Sequence, residues 1–109
     1  MATLNQLGTR VLQMLEVLAA NEAADPADLA VVVQKLKAAH YAFRVQELAA
    51  WTLNDIPDFA EEPYVLMAAF LAAATFSVAP NAMWPMQATT ELQRAANLPA
   101  ADTTPAEYF

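Results

Sequence analysis

The chain has 109 residues, enough for one small domain, and 58% of them are hydrophobic. A net charge of -7 excludes the basic patch that a phosphate-gripping nucleic-acid binder needs, and it is equally unsuited to docking on an anionic membrane. With no cysteine there is no disulfide, no thiolate chemistry and no zinc cluster, so a cytoplasmic origin is the default. A single glycine excludes a phosphate loop and a dinucleotide fingerprint, and the alanine content favours helix over strand.

The first predicted element is an amphipathic helix from Thr3 to Ala20. Leu4, Leu7, Val11, Leu12, Met14, Leu15 and Leu18 fall largely on one broad face at helical spacing. Gly8 falls inside it, either tolerated at a cost of roughly 1 kcal/mol or required by a neighbouring helix. The N-terminal residues lack a compact apolar segment with a cleavage site, so no signal peptide is expected. After a polar break, Asp25-Pro26-Ala27-Asp28 is a strong helix start: a capping side chain, a proline for the first turn and a favourable acid. Leu29, Val32, Val33, Leu36, His40 and Phe43 then mark the inner face of a second helix ending near Glu47. An extended connector through Trp51 to Leu53 leads into the turn Asn54-Asp55-Ile56-Pro57.

The third helix is the most apolar stretch. Its start is expected at Ala60 to Glu62, which keeps Pro63 near the first turn, and its end near Val78, before Pro80. From Tyr64 to Val78 the apolar run is shorter than the ~20 residues that span lipid, so a buried bundle helix is expected rather than a membrane segment. A helix apolar all round needs cover on several sides, which points to a neighbouring subunit. Asn81 is a plausible cap for a fourth helix from Met83 to Asn97, with Met86, Leu92 and Ala95 or Ala96 inward and Pro99 ending it. The expected architecture is all-α: about four helices over residues 1–97, an extended connector, and a loose C-terminal arm over 98–109.

No catalytic constellation is nominated, and no cofactor or metal. His40 is the lone histidine, on an apolar face, and reads as a packing residue without a nucleophile or orienting partner. Asp55, Asp58, Glu61 and Glu62 read as helix-end electrostatics and a solvated turn rather than a carboxylate pair. Trp51, Met83, Trp84 and Met86 read either as core at helical spacing or as candidates for a subunit interface, since exposed Trp and Met favour contacts. Pro105, Tyr108 and Phe109 form an aromatic-ended arm suited to docking on a partner.

Taken together, four stretches resemble the head-to-tail adaptor proteins of tailed bacteriophages, the head-completion or packaged-DNA-stabilisation group. They are TLNQLGTRVLQMLEVLAANEAADPADLAVVVQKLKAA, the link WTLNDIPD, the Ala-rich PYVLMAAFLAAATF, and the short last helix with its arm. The resemblance covers residues 3 to 97 and lies in helix and turn signatures, not in chemistry. It implies a structural, non-enzymatic virion protein, assembled in the host cytoplasm and placed at the neck between capsid and tail. Its partners would be the portal protein, copies of itself in a ring (about twelve in that family), and a tail or stopper component. DNA would pass through the ring without sequence-specific binding, and the C-terminal arm would dock on portal or neighbour. The alternative is a small dimeric helical module of regulatory or chaperone-like character.

Overall fold

The computed structural model describes residues 3–19 and 22–103. It is an all-helical bundle of α1 (Leu4–Met14), α2 (Pro26–Val45), α3 (Asp58–Ala72) and α4 (Met83–Thr103), with no strand among the described residues. Two short 3₁₀ turns, Leu53–Asp55 and Ala73–Phe76, flank α3.

Helix α1 opens with a capping box. The Gln6 amide donates to Thr3 Oγ1 at 3.1 Å, and the Thr3 amide donates to Gln6 Oε1 at 2.8 Å, so two orphan donors are satisfied reciprocally. It ends at Met14, well short of Ala20. Glu16 turns left-handed at φ 61°, and the amides of Glu16 and Val17 close back on the carbonyls of Gln13 and Leu12. Nothing local stops this helix. Leu15, the last right-handed residue before the reversal, is buried, and the closing hydrogen bonds offset the Glu16 strain.

Asp25 caps α2 as expected, accepting from the Ala27 amide at 2.8 Å with Pro26 next in line. Val32, Leu36, Ala39, His40 and Phe43 are buried on its inner face. Its end repeats the device of α1. Glu47 is left-handed at φ 60°, with Glu47 and Leu48 amides returning to Arg44 and Phe43. The connector is not wholly extended, because Leu53–Asp55 forms a 3₁₀ turn.

Helix α3 starts at Asp58 rather than at Ala60 to Glu62, so Pro63 lies inside it. The proline removes one backbone donor near the helix start, but its ring is fully buried, which offsets the loss. Asp58 and Glu61 in the first turn suit the positive helix end. Beyond Ala72 the chain tightens into the 3₁₀ turn and stops at Ser77, left-handed at φ 59°.

Helix α3 is the centre of the bundle and packs against α1, α2 and α4. Ala60, Pro63, Tyr64, Val65, Leu66, Met67, Ala68, Ala69 and Ala72 are all buried. Three helices of the same chain cover most of α3, while Phe59 stays 53% exposed and Phe70 and Leu71 are half-buried, so the expected uncovered face is reduced to these side chains. By length and composition Asp58–Phe76 could cross a membrane, yet 56% of it is buried within this fold. It is the core helix of a bundle.

Helix α4 leans on α3 through Trp84, Ala88 and Leu92, spaced four residues apart. Met86, expected inward, is 63% exposed, because that spacing turns it to the opposite side. Asn81 caps the helix, accepting from the Met83 amide at 2.9 Å. Pro99 does not end it. The helix continues to Thr103, so the first part of the expected arm is helical. Pro105, Tyr108 and Phe109 lie outside the described residues.

Candidate functional site

Two features stand out from the packing: a buried polar cluster and a set of uncovered apolar side chains. The cluster is built by α2, the connector and α3. His40 Nδ1 is 2.5 Å from the Tyr64 hydroxyl, and Trp51 Nε1 donates to the same oxygen at 3.0 Å. Phe43 packs on the Tyr64 ring at a centroid distance of 5.2 Å, and Phe59 meets Trp51 edge-on at 5.5 Å.

Electrostatics assigns the protons. Burial, and secondarily the charge of Arg44, lowers the His40 pKa, so the imidazole is neutral at pH 7. Burial pushes the Tyr64 pKa up to about 12, against the opposing pull of the Trp51 hydrogen bond and Arg44. Tyr64 is therefore a phenol that donates to Nδ1 and accepts from Trp51, a chain of bonds with each partner satisfied. No buried side-chain nitrogen or oxygen among the described residues lacks a partner. Chemically this is a clamp. Nδ1 is occupied by the Tyr64 hydroxyl, and His40, Trp51 and Tyr64 line neither of the two grooves described below.

Among the described residues, no group of three or more His, Asp or Glu side chains is gathered for a metal ion. The four acids before and within α3 do not form one site. Glu61 and Glu62 both take Arg10 of α1, at 3.2 and 2.5 Å, while Asp55 accepts from the Thr52 hydroxyl at 3.0 Å. Arg10 thus ties the first helix to the start of the central one. The pairing is partly solvated and worth little energy, though it fixes relative orientation.

The four interface candidates divide. Trp51 and Trp84 pack against the core, half-buried. Met83 and Met86 stand outward, 62% and 63% exposed. Met83, Met86, Gln87, Thr90, Glu91 and Arg94 recur at helical spacing along the outer side of α4 and line a shallow groove of about 350 Å³. A second groove, of about 300 Å³, lies between the start of α1 and the connector, lined by Thr3, Leu4, Asn5, Leu53 and Asn54. The sequence reading missed a second exposed pair. Tyr41 and Val45, one turn apart on α2, are 71% and 65% exposed. The signal was present, since both fall off the face marked by Leu36, His40 and Phe43.

Compared with protein-family models, curated proteins and solved structures, the chain matches none of them.

Proposed function

We propose that this protein is a structural adaptor that assembles into a ring at the neck of a tailed bacteriophage particle. In this role it sits beneath the portal, extends the DNA channel, helps retain packaged DNA and gives the tail a surface to join. It works by shape and contact, not by catalysis. The observation that carries this reading is the layout of the elements. A capped amphipathic helix, an Asp-Pro-started second helix, the WTLNDIPD link and an Ala-rich central helix follow in the order on which the resemblance rests. Exposed Met83 and Met86 on α4, and Tyr41 and Val45 on α2, supply two unlike apolar surfaces for neighbours. A net charge of -7 suits a channel wall that lets DNA slide past.

Co-sedimentation with assembled portal is the test. The purified chain should be a monomer or weak oligomer alone, and should pellet with portal assemblies in a fixed ratio. A stable dimer that ignores portal and particles would overturn the adaptor reading and favour the small helical interaction module.

A further inference from the structure

The outer face of α2 is both basic and apolar, on a chain whose net charge is -7. Tyr41 and Val45 are 71% and 65% exposed, and Lys37 and Arg44 are exposed beside them at helical spacing. The start of α3 is the opposite kind of surface. Phe59 is 53% exposed there, and Asp55 and Glu62 on either side of it in the chain are exposed too.

We propose that the outer face of α2 in one copy docks on the start of α3 in a second copy, with Tyr41 and Arg44 against Phe59 and Lys37 beside the acids. This contact rests on the ring reading, in which copies meet repeatedly, and it names the two surfaces that join them.

Charge decides the occupant. From Gln34 to Gln46 no exposed residue is an acid, so two copies meeting through α2 alone would set base against base. The α3 start has the missing sign. Asp55, Asp58, Glu61 and Glu62 fall within eight residues, and the chain holds no Lys or Arg between Arg44 and Arg94. Asp55 accepts from the Thr52 hydroxyl and Glu62 from Arg10, yet a carboxylate has lone pairs for further donors. Lys37 and Arg44 are about 10 Å apart along α2, so the pair can straddle the first turn of α3. Phe59 adds specificity. Its ring meets Trp51 edge-on at 5.5 Å, and Trp51 is pinned by its bond to Tyr64. Phe59 therefore stands on a rigid base, and a guanidinium laid on its face gains an attraction that a plain charge pair lacks. The two surfaces differ, so the contact is head-to-tail and closes into a ring if its rotation allows.

Lys35 and Lys37 are the only lysines in the chain, which makes amine-to-carboxylate coupling a sharp test. Unlabelled and heavy-isotope-labelled chains are mixed in equal amounts, treated with a carbodiimide, and the joined peptides read by mass spectrometry. The expected inter-copy product is a mixed-isotope link from Lys37 to Asp55, Asp58 or Glu62. Arg44→Glu and Phe59→Ser, both at exposed positions and checked for helix content, should each lower its yield about fivefold or more. Links within single chains only, mixed-isotope links from Lys37 to acids elsewhere, or a yield unchanged in both variants would overturn the proposal. The readout needs no portal, so failure here and failure of portal binding are separate results.

Discussion

The Tyr64 hydroxyl lies 2.5 Å from Nδ1 of His40, joining α3 to α2, and the Trp51 indole closes the connector onto the same oxygen. This gives stability a pH dependence with two arms. For His40 the folded pKa is lowered, so the unfolded chain binds more protons below the ordinary value of 6.5. Its contribution is complete above about pH 6.5 and is lost as pH falls towards the lowered folded value. For Tyr64 the folded pKa is raised to about 12 from 10.0, so its contribution is lost as pH rises through that window. Urea unfolding midpoints from pH 5 to 11 should show both slopes. Tyr64→Phe leaves His40 and Trp51 without their shared partner. It should cost roughly 1–3 kcal/mol near pH 7 and abolish the alkaline slope attributable to this phenol. An unchanged alkaline slope in that variant would sink the assignment.

At Gly8, α1 lies close against Leu29 and Val32 of α2. A Cβ there would sit 2.8 Å from Leu29 Cδ1 and 3.1 Å from Val32 Cγ2. Leu29 is half-buried and can swing its end aside, whereas Val32 is fully buried and stiff. Gly8→Ala therefore sets about 1 kcal/mol of helix propensity against a small displacement, and its net effect should be within about 1 kcal/mol of zero. Gly8→Leu has no such escape and should cost roughly 1–3 kcal/mol by overpacking. Thermal melts of the two variants check this. A Gly8→Leu protein as stable as the parent would show that the close approach does not matter.

That contact also shows what the sequence could and could not convey. A helical glycine in a chain with only one is a visible oddity, and close approach was one of its two readings. The Asp25-Pro26 start, the inner face of α2 and the Asn81 cap were legible because capping and periodicity are local. The early end of α1 was not. Glu16 is an ordinary helix former, and nothing in its identity announces the left-handed turn that its own and Val17's amides close. Pro63 misled for the same reason, since local rules count its missing donor but not the burial of its ring. Sharing one hydroxyl between His40 and Trp51 requires knowing that residues 40, 51 and 64 converge, which spacing alone cannot reveal. The direction of Met86 was misjudged because α4 has a weak apolar face, and Trp84, Ala88 and Leu92 claim the inside.

Among the described residues, three helical segments end on a left-handed residue that is not glycine: Glu16, Glu47 and Ser77. Each costs about 1–2 kcal/mol relative to right-handed backbone, which the closing hydrogen bonds and the following apolar residue offset. Glycine removes that steric cost but gives up roughly 0.5–1 kcal/mol in backbone entropy. Glu16→Gly and Glu47→Gly should therefore each stabilise the fold by about 0.5–1 kcal/mol, and should add because the sites are independent helix ends. Denaturant midpoints of the single and double variants measure it. A loss of stability in either would mean that the Glu side chain itself contributes at that end.

Helix α4 has α3 as its main support, through Trp84, Ala88 and Leu92, whereas α1, α2 and α3 pack against one another in every pairing. The bundle should consequently open in two stages, with α4 leaving first and the other three helices holding together. Leu92 is 1% exposed, and Leu92→Ala removes the largest aliphatic side chain of that contact. The cost should be about 2–5 kcal/mol to α4 docking, with a smaller effect on the remaining helices. Amide hydrogen exchange separates the two. In the parent, α4 amides should exchange faster than those of α3. In the variant they should exchange at least tenfold faster still, while α1 and α2 change little. Uniform acceleration across all four helices would show a single cooperative unit instead. The independence of α4 would then be lost, although its outer strip would remain available to a neighbour.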